Sequence, residues 1–269
     1  MHKLDEGVKT LHKHFGKGVG GQGADYPELS RLPTGIFTVD VALAGGIPLG
    51  AVSIFYGMEG SGKTSLSMRC VGQYQKRFPD KHAVWIDAEN AWDRDWAKLH
   101  GVDTDRLYLF KPTTAEEAAD IAKEVAYSED AGFLVIDSIA ALASNEQIEK
   151  TADKVVVAGA AKPTTNLMRG VGTGMVEHVK AGSQLTVIYI NQIRHKIGFV
   201  MGNPEILPGP SFQNYQAYLK LRLTGKPIIK EKISAAPIYS DNSMKVAKKK
   251  FPVIRSSAEW QTILYPYNG

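Results

Sequence analysis

A single cysteine, Cys70, leaves this 269-residue chain without an internal disulfide and without the thiolates of a zinc cluster. It falls in a stretch predicted to be helical, where it reads as a buried structural thiol. No apolar run reaches the length of a membrane span. The opening Met1-His2-Lys3-Leu4-Asp5 has no apolar signal core, so the expected location is cytoplasmic, with no membrane partner. Internal repeats and low-complexity tracts are absent as well, which removes solenoids and compositionally disordered chains. Charge of one sign is not in large excess. Lys and Arg number 32 against 28 Asp and Glu, a formal net charge of +4, which identifies no partner by itself.

What is present suits one large α/β domain, or one domain with an appendage: 43% of the residues are hydrophobic. Residues 1–31 read as the appendage. Leu4, Val8, Leu11 and Phe15 recur at helical spacing, and the glycine-rich run 16–23 after them reads as a flexible linker. A short helix on such a tether has little core of its own, so it is expected to dock elsewhere, on this chain or on a neighbour. From Leu32 to residue 269 strands and helices alternate. Runs 52–56, 84–87, 107–110, 133–137 and 185–190 are short, apolar and β-prone. The clearest helix is 114–128. There Thr114 and Glu117 have capping-box spacing, and Ala118, Ile121, Ala122 and Val125 mark one face. This alternation predicts a mainly parallel sheet flanked by helices. Runs 217–223, 244–247 and 260–265 are expected to extend it as antiparallel edge strands.

The chemistry is most legible at Gly57-Met58-Glu59-Gly60-Ser61-Gly62-Lys63-Thr64, which follows the strand-like Val52–Tyr56. This matches G-x-x-x-x-G-K-[ST] in its strand–helix setting. The glycines let backbone N–H groups, and the start of the helix that follows, point at a phosphate anion, with Ser65 completing the nucleotide-binding set. Lys63 is expected to reach the outer phosphates and Thr64 to ligate Mg2+. A glycine-rich turn that binds nothing is the bland alternative, and eight spaced positions in the correct context argue against it. Phe133-Leu134-Val135-Ile136-Asp137 is an apolar strand ending in an acid, the pattern of a second Mg2+-holding carboxylate. Val84-Trp85-Ile86-Asp87-Ala88-Glu89 places Glu89 just past another strand, where it would orient the water that attacks a γ-phosphate. The strand 185–190 ends in Asn191-Gln192, and a glutamine amide there can hydrogen-bond that phosphate. A long glycine- and proline-bearing loop follows, with Arg194, His195 and Lys196 at its start. These basic residues, and the run Lys245, Lys248, Lys249, Lys250 and Arg255, could serve phosphates or simply be a solvated surface.

Together these phrases resemble one family. Leu32-Pro33-Thr34-Gly35, the phosphate loop, Ile86-Asp87-Ala88-Glu89, Val135–Leu142, Ile190-Asn191-Gln192-Ile193-Arg194, Lys196-Ile197-Gly198 and Gly202-Asn203-Pro204-Glu205 are similar to the ATPase core of the RecA recombinases, in the same order. Phe15-Gly16-Lys17-Gly18 extends the likeness. The resemblance implies a P-loop NTPase fold of the RecA type that uses ATP and Mg2+. It implies a DNA-dependent ATPase that forms a helical filament of identical subunits on single-stranded DNA and pairs it with homologous duplex DNA. At matching positions Glu89 resembles the catalytic glutamate and Gln192 the γ-phosphate sensor. Asp93 and Trp96 fall where the family contacts adenine, with Trp96 in place of the usual tyrosine. Lys248 and Lys250 resemble lysines that reach a neighbouring subunit's ATP. Phe15 and Tyr215 fall at subunit contacts. Lys162 and Arg169 match basic positions near a first DNA loop (150–163). Arg194, Lys196, Met201, Gly202 and Asn203 belong to a second (194–210).

Some positions depart from the family pattern. The first-loop run Lys154 to Ala160 differs, Met201 stands where an aromatic is common, and Pro210 replaces a glycine. Ser211-Phe212-Gln213-Asn214 is unlike the family, and Pro163 is expected to break or kink a helix. Typical relatives continue into a C-terminal domain that gates duplex DNA, so strand exchange and duplex access are expected to differ. A divergent phage-encoded or reduced recombinase fits this pattern. Two alternatives stay open: a non-exchanging accessory paralogue, and a ring-forming helicase or translocase on the same core.

Overall fold

The structure is a computed structural model that describes residues 3–15, 29–142, 162–195, 205–230 and 237–263. Its centre is an eight-stranded sheet. In chain order the strands are β3 (Val52–Gly57), β4 (His82–Asp87), β5 (Leu107–Phe110), β6 (Ala131–Asp137), β7 (Thr186–Gln192), β10 (Leu219–Lys230), β11 (Pro237–Lys249) and β12 (Ser257–Ile263). They lie side by side as β12-β11-β10-β3-β7-β6-β4-β5. Two short pairs stand apart from it: β1 (Arg31–Leu32) with β2 (Ile47–Pro48), and β8 (Arg194–His195) with β9 (Glu205–Ile206).

The apolar runs become strands buried on both faces because successive side chains alternate sides. Phe55, Trp85, Phe133, Val135, Ile188 and Ile190 face one core. Leu66, Met68, Cys70 and Val71 of α3 (Lys63–Arg77) cover it. Ile54, Val84, Ile86, Leu134, Ile136, Val187 and Tyr189 face the other core. That one is covered by α5 (Ala115–Tyr127) and α6 (Lys162–Lys180). Cys70 is fully buried, and burial raises its thiol pKa, as a structural cysteine requires.

The smaller helices are α1 (Lys3–Phe15), α2 (Phe37–Ala42), α4 (Arg94–Leu99) and α7 (Phe212–Gln216). Leu4, Leu11 and Phe15 of α1 are exposed, so most of its apolar stripe is left uncovered by the other described residues. α5 starts where the sequence indicates. The Thr114 hydroxyl caps Glu117 N at 3.1 Å, but Glu117 reaches back to Thr113 N at 2.7 Å rather than to the cap residue.

Two expectations are corrected. The 217–223 run is not an antiparallel edge: β10 pairs in parallel with β3, and only β11 and β12 add antiparallel pairs. Leu219, Leu221 and Leu223 are fully or almost fully buried, so β10 carries the core of an interior strand. Pro163 does not break a helix. It is the second residue of α6, in the first turn, where an N–H has no intrahelical acceptor to lose.

α5 and α6 pack closely because Gly174 has no side chain: a Cβ there would stand 2.3 Å from the carbonyl oxygen of Ala126. Gly174→Ala should therefore force the helices apart and cost about 1–3 kcal/mol, read as a lower thermal midpoint. Gly7→Ala on α1, where a Cβ meets nothing within 4 Å, should leave the midpoint unchanged or slightly higher.

Candidate nucleotide-binding site

β3 ends at Gly57 and α3 begins at Lys63, so Gly57, Met58, Glu59, Gly60, Ser61 and Gly62 form a tight connection. Gly60 and Gly62 hold φ of +70° and +83°, where a side chain is strained. Gly57 is required for a different reason: a Cβ there would lie 2.2 Å from the carbonyl oxygen of Leu223 on β10. Leu66 N donates to Gly62 O at 2.9 Å and opens the helix. The N–H groups of Lys63, Thr64 and Ser65 therefore have no intrahelical acceptor. They add to the positive end of the α3 dipole, an arrangement that attracts phosphate.

The charged groups converge here because parallel strands end together. Gly57 is in register with Gln192, and Asp87 with Asp137. Lys63 is only 6% exposed and donates to Met58 O at 2.8 Å, with longer contacts to Gly57 O and Ser61 Oγ. Burial lowers its pKa, while Asp137, Glu89 and Glu59 oppose the shift. A buried ammonium satisfied by neutral oxygens is a binding point for an anion. Thr64 Oγ1 donates to Asp137 Oδ2 at 3.0 Å. Burial, and then the charge of Glu89, push the Asp137 carboxyl up to about 7. Glu89 Oε1 accepts from Gln192 Nε2 at 2.8 Å and from the Ser138 hydroxyl.

Among the described residues no group of three or more His, Cys, Asp or Glu is placed to hold a metal unaided. The Thr64 hydroxyl beside a destabilised carboxylate nevertheless fits magnesium. Mg2+ prefers oxygen ligands, keeps several waters and is commonly completed by substrate phosphates. A divalent cation would also relieve the repulsion between Asp137 and Glu89.

The supporting role of Asp87 escapes a reading of the sequence, as do the contacts that fix Asp93 and Trp96. Asp87 is 2% exposed and accepts from Ala91 N at 3.1 Å and Trp92 N at 3.0 Å, with Lys111 at 3.8 Å. It thereby shapes the loop that carries Glu89. Its signal in the sequence was its place at the strand end, two residues before Glu89. Asp93 caps α4 by accepting from Trp96 N at 2.9 Å. Trp96 then donates from Nε1 to Ser65 Oγ at 3.1 Å, which fixes the indole against the start of α3. Its ring also packs on His100, with centroids 4.5 Å apart.

The remaining candidates lie elsewhere. Lys248 and Lys250 are not brought to Lys63 of the same chain. Met244 stands opposite Leu223, the partner of Gly57, and Lys248 is four residues further along β11, about 13 Å at strand spacing. Lys248 donates to Asn214 O, and Lys250 to Tyr215 O at 3.4 Å. Burial and the nearby Lys250 lower the Lys248 pKa. Tyr215 and Phe15 are 75% and 60% exposed. Arg169 is exposed on α6 and Arg194 on β8. Lys162 opens α6. Lys196, Met201, Gly202, Asn203 and nearly all of the first loop lie outside the described residues.

A glycine loop on a helix N-terminus, a buried Lys63 and Asp137 joined by Thr64, and a strand-end glutamate on a mainly parallel sheet define a P-loop nucleotide-binding protein of the RecA fold class. A model of the RecA N-terminal domain matches residues 2–266. The chain is 35% identical over 234 residues to Protein RecA of Aquifex pyrophilus, covering 86% of this chain and 65% of that protein. It is 36% identical over 263 residues to Protein RecA of Kineococcus radiotolerans, covering 97% and 73%. The crystal structure of the RadB recombinase superposes with a TM-score of 0.61 at 19% identity, covering 85% of this chain and 94% of that one, a likeness of fold. The chain belongs to the RecA family. Among the described residues no helix is long and apolar enough to cross a membrane.

His100 supplies a pH signature. Burial, with Arg69 nearby, lowers its pKa to about 4, below the ordinary value of 6.5. The unfolded chain thus binds the proton first, and this contribution to stability is lost as pH falls from about 6.5 toward 4. Denaturant unfolding at pH 7 and pH 5 should show a larger loss for the wild type than for His100→Phe.

Proposed function

We propose that this chain is an ATP-dependent recombinase. It assembles on single-stranded DNA, hydrolyses ATP at subunit interfaces and promotes pairing with homologous duplex DNA. The observation that carries the catalytic part is the position of Glu89. One of its oxygens accepts from both Gln192 and Ser138, beside the buried Lys63 and Asp137 and the Thr64 hydroxyl. With ATP in the loop, Lys63 and the N–H groups at the start of α3 neutralise the phosphates. Thr64 and Asp137 would hold Mg2+, which would supply charge neutralisation to the phosphates. Glu89 orients a water and accepts its proton, while Gln192 donates to the γ-phosphate. Asp93 and Trp96 hold the base.

Lys248 and Lys250 are far from their own Lys63, which supports action on a neighbouring subunit's ATP. They are exposed enough for such a contact, alongside Tyr215. The uncovered stripe of α1 supports docking of residues 1–31 on an adjacent protomer. Arg169, Arg194 and the two loops would meet DNA phosphates, which gives sequence-independent binding that weakens with salt. The family's relation to nucleotide and DNA supports a cytoplasmic workplace.

ATP hydrolysis should be stimulated by single-stranded DNA and should rise cooperatively with protein concentration. Glu89→Gln should lower turnover by roughly 10²–10⁴-fold while nucleotide still binds. Hydrolysis that ignores DNA at every protein concentration would point to the accessory paralogue instead. Unwinding of a forked duplex by closed rings would point to the helicase.

A further inference from the structure

The segment after β9 returns to the sheet through Pro208 and α7, and it meets β7 one residue before the γ-phosphate sensor. Asn191 is fully buried, and Gln213 of α7 is 1% exposed. Asn191 Nδ2 donates to Gln213 Oε1 at 2.9 Å and to Pro208 O at 2.8 Å. Gln213 Nε2 donates to the same Pro208 oxygen at 2.8 Å. Asn191 Oδ1 in turn accepts from Gln192 N at 2.9 Å. Two buried side-chain amides and one backbone carbonyl therefore form a closed ring, and the ring is bonded directly to the backbone of Gln192.

This ring has a directional consequence. On the far side, Gln192 Nε2 holds Glu89. On the near side, Gln213 fixes the segment 205–213, whose start is also gripped by Arg222 through Glu205. Gly209, with φ of +90°, packs where a Cβ would come 2.7 Å from Ile139 Cγ2, so the segment has little room to shift alone. Buried amides exchange partners only as a set, because an unpaired one costs its full desolvation. A second amide on α7, Gln216, accepts from Tyr189 and donates to Met168 O, but it makes no contact with Asn191 among the bonds it forms.

We propose that Gln213 is a positioning residue: through Asn191 it ties Gln192 to the segment 205–213, so that phosphate occupancy and the placement of that segment change together. The proposal rests on the nucleotide-site reading above and names the residue through which that site would be coupled to the rest of the chain. It needs no DNA to be tested.

Backbone amide exchange across residues 205–214 would be measured on the full chain with and without a non-hydrolysable ATP analogue and Mg2+. The wild type should show analogue-dependent slowing of about fivefold or more, the lower end of ordinary coupling between sites. Gln213→Met fills the same space without the amide and should cut that slowing to under about twofold, with analogue affinity changed by less than about threefold. Gln213→Asn keeps an amide one methylene short and should give the same loss, which covers the case in which the methionine variant fails to fold. Gln216→Met is the control for general loosening of α7 and should retain the wild-type response.

A wild type without analogue-dependent slowing would overturn the proposal. So would a Gln213 variant that keeps the response, or equal losses in the Gln213 and Gln216 variants. If slowing is seen and depends on Gln213 but the protein does not retain single-stranded DNA with ATP, the recombinase reading fails and the positioning role stands.

Discussion

The Lys63 ammonium is held inside the molecule by oxygens of its own loop, and that burial governs the arrangement of the site. A cation removed from water needs acceptors or countercharge close by. The loop supplies carbonyls, while Asp137 and Glu89 supply negative charge from the ends of β6 and β4. The same crowding makes one of those carboxyls hard to ionise and gives the site its appetite for a divalent cation. Phosphate and magnesium are the pair of ions that would satisfy both groups at once.

Such crowding is possible because six strands run parallel and finish at one edge. Each strand delivers the residue just past its end to that edge. β3 delivers the loop, β4 delivers Asp87 and then Glu89, β6 delivers Asp137, and β7 delivers Asn191 and Gln192. The two apolar cores on either face keep these ends in register. β11 alone runs against them, since β12 reverses direction again, and so Lys248 and Lys250 near the end of β11 emerge at the opposite end of the sheet from the phosphate loop. A single chain thus keeps Lys63 and the Lys248–Lys250 pair at opposite ends of the sheet.

The departures from the family pattern also take on structural meaning. Pro163 sits harmlessly in a first helical turn, and Gln213 is a buried member of a hydrogen-bonded ring. Neither departure disturbs the groups around Lys63.

The sequence alone marked out the phosphate loop, the strand-end acids, Gln192, the parallel core and a helix at 114–128. Each of these is written in local spacing: glycines where φ is positive, apolar runs of strand length, a hydroxyl at a helix cap. Only the tertiary structure decided that β10 lies inside the sheet, parallel to β3. Edge and interior strands share one apolar alternation and differ only in their neighbours. It also decided that Asp87 shapes the Glu89 loop, that Ser65 fixes Trp96, and that Asn191 meets Gln213 across 22 residues of chain. Those are contacts between polar side chains distant in sequence, and no periodicity encodes a hydrogen bond that exists only when two elements are packed together.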